Sequence, residues 1–361
     1  MTVVARFEIN FEQLLDPDGK PTSKSLPAFA RDPEELVHMY RVMNLTRTFD
    51  TRAIALQRTG KLGTYASCLG HEAAHVGVGA AMKPEDVLAP SYREYGAQFW
   101  RGVKLEDVLL YWGGSELGNV FSGPVHDFAW CVPIATQNLY SAGAALAFKS
   151  RGDKRVVVPF VGDGGTSEGA YYEALNVAGV WKLPMVFVTV NNRWAISVPL
   201  AQQTGAETLA QKGIAAGIPG VQVDGNDILG VRKVVGDAIE RARAGNGPTV
   251  VEALTYRLSD HTTADDARRY RSDEEVQSAQ AKEPLGRLRR YMEGLGIWDD
   301  KKEAALIAEC KKEVEAAVKI YQDTPRQPVT AMFDYMYAEL PEALREQRNA
   351  AIAGGEEAAH G

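Results

Sequence analysis

The chain has 361 residues, which is enough for one large α/β domain with extensions or for two domains of ordinary size. Its composition, 45% hydrophobic and 24% charged, is that of a globular protein, and its net charge of −7 argues against a nucleic-acid-binding surface. No apolar run is long enough for a membrane span, the first residues do not resemble a signal sequence, and the three cysteines are widely spaced. We therefore expect a cytoplasmic protein with free thiols and no membrane contact.

The first predicted elements are an arm and a long helix. Residues 1–31 contain three prolines and a glycine in their second half and are predicted to form an irregular N-terminal arm. Asp32 is a candidate N-cap with Pro33 at the first helical position, and Gly60 is a helix stop. These signals bound one long amphipathic helix.

The middle of the chain alternates predicted strands with predicted helices. The apolar stretches "RVVVPFV" and "MVFVTV" indicate buried strands, and the segment between them has helical spacing, which is typical of a parallel βαβ unit. The pattern continues with "GVQVDG", a helix and "PTVVEALTYR". The predicted fold is therefore an α/β domain over residues 32–283, an open parallel sheet flanked by helices. Within it, the polar residues 259–275 are predicted to form a mobile loop. We expect residues 284–345 to be a helical C-terminal extension of the same domain, and residues 346–361 to be a disordered tail.

The stretch "GHEAAHVG" contains the H-E-x-x-H pattern of zinc metallopeptidases. His71 and His75 would lie on one face of a helix, with Glu72 as a base and Glu94 as a third ligand. However, glycines flank the motif, where a zinc-binding helix would need continuous helix formers. A closely packed helix with two incidental histidines is therefore the favoured interpretation, and a zinc metallopeptidase is the remote alternative.

A second set of candidates follows the two buried strands. "GDGG" follows the first strand and "NNRW" the second, and ligands bind at the carboxyl ends of the strands in open parallel sheets. The backbone of Gly164 and Gly165 can approach an anion closely. Asp163 and Asn192 supply the oxygen ligands that Mg²⁺ prefers, and Mg²⁺ commonly bridges to phosphates. The sequence therefore predicts a magnesium and phosphate site at this edge of the sheet.

These motifs resemble a known family. Asn192 follows Asp163 by 29 residues, a spacing similar to that of the thiamine-diphosphate motif. Together with "SYREYG", "GDGGTSEG", "NNRWAIS", "IPGVQVDGND" and "DHTTADDARRYR", it resembles the α subunit of the two-subunit E1 component of 2-oxo acid dehydrogenase complexes, over about residues 35–345. The resemblance implies a thiamine-diphosphate-binding fold.

The resemblance also implies roles for individual residues. Asp163, Asn192 and the backbone carbonyl of Trp194 would bind Mg²⁺, while the backbone of Gly164 and Gly165 would meet the diphosphate.

Four further residues of the cofactor site are implied in the same way. Tyr92 and Arg93 would hold the diphosphate, and Ile134 would support the aminopyrimidine ring. His261, in the predicted loop, would contact the cofactor and act as the catalytic residue that assists acyl transfer.

Two positions depart from the family pattern. His71 stands where the family usually has Gln or Glu, which makes the zinc-like motif a local substitution. Ala66 stands where animal pyruvate-type chains carry a histidine that contacts the cofactor, so their substrate assignment does not transfer directly.

The implied reaction is the oxidative decarboxylation of a small 2-oxo acid, with transfer of the acyl group to the lipoyl domain of the E2 core protein. Pyruvate is the favoured substrate, and branched-chain 2-oxo acids are the alternative. The branched-chain resemblance also places a candidate K⁺ site at Pro133, Thr136 and Gln137. Because this chain is too short for a second cofactor-binding domain, we expect an α2β2 heterotetramer in which an E1 β subunit supplies a catalytic glutamate.

Overall fold

Six parallel strands form the sheet at the centre of the described chain, in the order β1-β7-β8-β4-β3-β2, and two short antiparallel strands lie apart from it. In chain order the strands are β1 (Asn10–Glu12), β2 (Val87–Ala89), β3 (Val157–Gly162), β4 (Val186–Asn191), β5 (Trp194–Ala195), β6 (Val198–Pro199), β7 (Gly220–Asp224) and β8 (Thr249–Leu254). The prediction of an open parallel sheet flanked by helices is confirmed.

The computed structural model describes the backbone of residues 1–359 and the side chains of residues 1–354. Its α-helices are α1 (Pro33–Arg58), α2 (Glu72–Ala81), α3 (Tyr95–Trp100), α4 (Leu105–Trp112), α5 (Thr136–Arg151), α6 (Gly169–Val180), α7 (Leu200–Gln203), α8 (Ile228–Arg243), α9 (Asp273–Gln280), α10 (Pro284–Gly294), α11 (Asp300–Asp323), α12 (Ala331–Asp334) and α13 (Glu342–Ala359). As predicted, the Asp32 side chain caps α1 by accepting a hydrogen bond from the backbone of Glu34.

Helices cover both faces of the sheet. The side chains of each strand point alternately to one face and to the other, and both sets are apolar. Val158 and Phe160 of β3 point into a core that includes α2 and α8, whereas Val157 and Val161 point into a core that includes α5 and α6. The strands are therefore apolar on both sides, which is why they read as continuous hydrophobic runs in the sequence.

The register of the sheet positions the predicted site. β3 pairs in parallel with β4, and Gly162 lies opposite Val190. Asp163 and Asn192 therefore leave neighbouring strands within one residue of the same level, at the carboxyl edge of the sheet.

The helix of the "HEAAH" motif packs against α8 through a glycine. A Cβ atom added at Gly77 would lie 2.8 Å from a side-chain methyl of Val231. The close approach of the Val231 side chain to Gly77 therefore confirms the interpretation as a closely packed helix.

We expect Gly77→Ala to lower the free energy of unfolding by about 1–3 kcal/mol, because the added methyl must displace Val231 in a closely packed core. Gly236→Ala, in α8, is the control, since a Cβ there meets nothing within 4 Å. It should stabilise the helix by about 0.5–1 kcal/mol. Chemical denaturation of both variants measures the difference, and equal effects would contradict the packing.

The two ends of the chain differ from the sequence predictions. The arm over 1–31 contains two regular pieces, since β1 adds a strand to the edge of the sheet and Ala28–Arg31 form a 3-10 helix. The backbone N–H groups of Leu14 and Leu15 donate to the Asp227 carboxylate. The tail predicted to be disordered forms α13 up to Ala359, since alanine and glutamate favour helix, and that prediction was wrong for 346–359. Residues 360–361 lie outside the described residues.

The chain divides into two compact units, residues 1–318 and 319–361. The boundary falls inside α11, so the predicted extension over 284–345 belongs partly to each unit. Every predicted site residue lies in the first unit. None of the helices in the described chain is both long and apolar enough to cross a membrane.

Candidate active site

A cavity of about 270 Å³ opens at the carboxyl ends of β3 and β4. It brings together all of the residues that the sequence predicted for the site, although they come from segments far apart in the chain. These residues are Tyr92, Arg93, Ile134, Asp163, Gly164, Gly165, Asn192, Trp194 and His261.

The predicted metal ligands present oxygen atoms to this cavity. Asp163 is only 2% exposed, and its Oδ2 accepts a hydrogen bond of 2.7 Å from Gln203. Asn192 Oδ1 accepts a bond of 3.2 Å from the backbone N–H of Trp194, whose carbonyl accepts from Arg257 at 3.0 Å. Burial raises the pKa of the Asp163 carboxyl above its ordinary value. A bound divalent cation would favour the ionised carboxylate and so offset the cost of burying it.

A buried network holds the two strand ends in place. The Lys212 ammonium donates to the Thr166 carbonyl at 2.9 Å and to its hydroxyl at 2.8 Å, which fixes the turn after Asp163. On the neighbouring strand, the Glu252 carboxylate accepts from the Asn191 side chain at 2.7 Å. Buried hydrogen bonds therefore support the chain at the ends of both strands.

The glycines of the "GDGG" turn allow close packing around the cavity. A Cβ at Gly164 would lie 2.7 Å from Cβ of Ala195, and one at Gly165 would lie 2.5 Å from a methyl of Val161. Ala135 and Ile196, which also line the cavity, adopt left-handed backbone conformations with φ of 62° and 55°. Such conformations cost energy in residues with a side chain and tend to occur at functional sites.

Two buried arginines make the cavity electropositive. Arg93 and Arg257 are 6% and 1% exposed, and neither forms an ion pair with a carboxylate in the described part of the chain. Arg93 donates to the Ser67 carbonyl and, at 3.0 Å, to the His261 carbonyl. Two guanidinium groups without a carboxylate partner favour an anionic ligand, and planar donors suit phosphate oxygens.

His261 is held between the two arginines as a neutral imidazole. Its Nδ1 lies 3.3 Å from Arg93 Nη2 and 3.4 Å from Arg257 Nη1, so Nδ1 accepts and the proton resides on Nε2. Burial and the two guanidinium groups lower its pKa to about 3. At neutral pH His261 is therefore a hydrogen-bond donor through Nε2.

The loop that carries His261 has defined internal contacts. The Asp265 carboxylate accepts from the His261 backbone N–H at 2.9 Å and also from the hydroxyl of Tyr270. Tyr270 in turn accepts from Arg257 at 2.9 Å. These bonds fix the histidine in the cavity wall.

The two carboxylates of the predicted zinc site are engaged elsewhere. Glu72 accepts from Arg47 at 2.8 Å, and the proposed third ligand, Glu94, accepts from the backbone N–H groups of Ser91 and Arg93. No cluster of three or more metal-binding side chains occurs among the described residues. The motif therefore does not form a zinc site.

The residues of the candidate K⁺ site lie together at the start of α5. The Pro133 carbonyl accepts from the Thr136 backbone at 3.3 Å, and the Gln137 amide donates to the Phe160 carbonyl, while Gln137 Oε1 is buried without a partner. An ion at this position stays a prediction.

Sequence reasoning missed three residues that shape the site. Arg257 precedes His261 by four residues and follows a strand, but an arginine there matches no short motif. Gln203 ends α7 and Lys212 lies in the 3-10 helix Ala210–Ala216, and the positions of both short helices depend on the tertiary fold.

Comparison with known proteins identifies the family. The family model described as "Dehydrogenase E1 component" matches residues 40–330 of this chain. The chain belongs to the dehydrogenase E1 component family.

Curated relatives of this E1-family chain cover almost its whole length. It is 43% identical over 336 residues to the pyruvate dehydrogenase E1 component subunit alpha of Staphylococcus epidermidis, with 93% of this chain and 90% of the relative covered. It is 41% identical over the same length to the subunit of that name from Staphylococcus aureus.

Proposed function

We propose that this chain is the α subunit of a pyruvate dehydrogenase E1 component, which binds thiamine diphosphate with Mg²⁺ and oxidatively decarboxylates pyruvate. The observation that carries the proposal is the placement of Asp163 and Asn192 at neighbouring strand ends, in one cavity with Arg93, Arg257 and His261. The names of the Staphylococcus relatives favour pyruvate over branched-chain 2-oxo acids.

The residues present fit a diphosphate bound through a metal ion. Asp163, Asn192 and the Trp194 carbonyl would bind Mg²⁺, which takes oxygen ligands and bridges to phosphates. Arg93 would supply a guanidinium that has no carboxylate partner in the described structure. The backbone of the Gly164–Gly165 turn would contact the phosphates as well.

Two other side chains, Tyr92 and Ile134, would contact the rest of the cofactor. Tyr92 lies against Arg93, whose guanidinium carbon is 5.3 Å from the centre of the tyrosine ring. Ile134 is 44% exposed at the cavity and would support the aminopyrimidine ring. A K⁺ ion beside Gln137, whose buried Oε1 has no partner, is an additional candidate.

Bound thiamine diphosphate would supply a carbanion that adds to the keto carbon and a positively charged ring that accepts the electrons released as carbon dioxide leaves. The chain's own residues bind, orient and exclude water. Arg93 and Arg257 stabilise negative charge in a buried site. His261 donates a hydrogen bond from Nε2 and, because it is neutral, adds no further charge; we propose that it assists acyl transfer to the lipoyl domain of an E2 partner.

The carboxylates that line the cavity support the proposal that the enzyme requires an E1 β subunit. Of the three carboxylates that line it in the described chain, Asp163 faces the proposed metal, Glu94 accepts two backbone N–H groups, and Glu168 is exposed. None is placed as a free acid for the aminopyrimidine ring.

Two apolar side chains at the cavity suit coverage by a partner, since Ile134 and Ile196 are about half exposed. We propose an α2β2 heterotetramer, located in the cytoplasm in keeping with three unpaired cysteines.

Reconstitution with the β subunit tests the function. We expect the α chain alone to show no decarboxylation, and the αβ enzyme with Mg²⁺ and thiamine diphosphate to reduce an artificial electron acceptor with pyruvate as the best substrate. Branched-chain 2-oxo acids are the comparison substrates. A higher kcat/KM for those acids would contradict the pyruvate assignment, and full activity of the α chain alone would contradict the requirement for β.

A further inference from the structure

Two buried histidines line the inner wall of the active-site cavity. His71 and His75 are 0% and 1% exposed, and their ring centres are 5.5 Å apart. Both ring nitrogens of His71 and Nδ1 of His75 have no hydrogen-bond partner in the described structure. These are the histidines of the motif that does not form a zinc site.

Buried polar atoms need partners. Leaving a buried donor or acceptor unsatisfied costs about 1–3 kcal/mol per group, so two such imidazoles in a dry core would strongly destabilise the fold. Burial lowers the pKa of both histidines, and the positive charge of Arg93 lowers it further. Each ring is therefore neutral and carries one N–H donor.

The surroundings identify the kind of partner. The two rings share the cavity with Arg93, Asp163 and Asn192, where the proposed function places the metal and the diphosphate. The two guanidinium groups in the cavity wall favour anionic oxygens as partners of the histidines, which have no carboxylate beside them among the described residues that is free to hold a cation. Glu72, the adjacent carboxylate, is occupied by Arg47.

We propose that His71 and His75 form a neutral donor pair that binds the terminal phosphate of the diphosphate, directly or through one water molecule. The pair acts as a binding and positioning element rather than as a catalytic one, and this inference rests on the proposed function. It gives His71 a role in place of an incidental substitution.

Affinity measurements on the reconstituted αβ enzyme test the role of His71. We expect His71→Leu to weaken Mg²⁺-dependent binding of thiamine diphosphate about tenfold, the loss for one hydrogen bond to a charged group. Binding of thiamine monophosphate should weaken less, so that the preference for the diphosphate falls. His71→Gln retains an amide donor and should bind within about threefold of the wild type. His126→Leu, at an exposed histidine, is the matched control.

His75→Leu, with His75→Gln as its partner variant, provides the same comparison if His71→Leu does not fold. A second readout uses the wild-type enzyme with ¹⁵N-labelled histidine. Two buried ring resonances should shift when thiamine diphosphate and Mg²⁺ are added, and not when thiamine is added. Unchanged affinity ratios in the leucine variants together with unshifted resonances would overturn the inference while leaving the proposed function intact. A wild-type enzyme that binds no thiamine diphosphate would overturn both.

Discussion

Asp163→Asn is expected to weaken Mg²⁺-dependent binding of thiamine diphosphate by more than about 100-fold. Replacing a residue that only supports a metal ligand typically lowers metal affinity 10–100-fold, and Asp163 is the only carboxylate among the described residues placed to bind the proposed ion directly. The asparagine keeps the shape of the side chain and can still accept a hydrogen bond from Gln203. The loss would therefore report the missing charge and not a collapsed turn.

The same variant should be more stable than the wild type when both lack ligand. The pKa of Asp163 is raised in the folded chain, so the folded state binds a proton more tightly than the unfolded state. That carboxyl therefore adds to the free energy of unfolding at low pH, and its contribution is lost as the pH rises through its pKa in the folded state. At neutral pH the buried, ionised carboxylate is unfavourable, and neutral asparagine relieves it.

Calorimetric titration and thermal unfolding measure the two effects together. Asp153→Asn is the matched control, because Asp153 also lies close to β3 but forms a surface ion pair with Arg155. It should leave cofactor affinity unchanged. If Asp163→Asn bound the cofactor with wild-type affinity, the metal would be held by other residues.

Two substitutions of His261 are expected to differ in the rate of acyl transfer to the lipoyl domain. His261→Asn places an acceptor near the Nδ1 position, where Arg93 and Arg257 donate, but removes the Nε2 donor. We expect a fall in kcat of about 10²–10³-fold, the usual cost of removing one hydrogen-bond donor that stabilises charge in the transition state. His261→Gln reaches the Nε2 position with an amide donor and should retain more activity.

The pH dependence of the rate distinguishes hydrogen-bond donation by a neutral His261 from acid–base catalysis by a titrating one. Because the pKa of His261 is lowered to about 3, the wild-type rate should show no inflection from this histidine between pH 6 and 8. Both variants should bind thiamine diphosphate within about tenfold of the wild type, since one neutral hydrogen bond is at stake. His126→Asn, at an exposed site, controls for the loss of a histidine. Equal activity of the Asn and Gln variants would argue against a donor at Nε2.

The strands and the carboxyl-edge site could be predicted because local patterns determine them. The apolar runs of β3 and β4 are buried on both faces, and the polar residues that follow must then lie at one edge of a parallel sheet. The N-cap of α1 was equally clear, since Asp32 and Pro33 carry the signal themselves. These predictions needed no knowledge of long-range contacts.

Other features depend on which segments meet in three dimensions. Arg257 lines the site because it follows β8, and Lys212 supports the turn after Asp163 because the 3-10 helix before β7 packs there. No short motif marks either residue. The histidines of "HEAAH" resemble metal ligands in sequence. In the fold, Glu72 forms an ion pair with Arg47, and the two histidine rings line the cavity. Helix α13 covers most of the tail, whose low sequence complexity predicted disorder.

Anomalous diffraction from the αβ enzyme, crystallised with thiamine diphosphate and Mn²⁺ in place of Mg²⁺, tests the proposed site most directly. We expect one strong Mn²⁺ peak within about 2.3 Å of an Asp163 carboxylate oxygen, the Asn192 side-chain oxygen and the Trp194 carbonyl, with the diphosphate and water supplying the other oxygen ligands. A peak at His71 and His75, or thiamine diphosphate bound away from the ends of β3 and β4, would contradict the account.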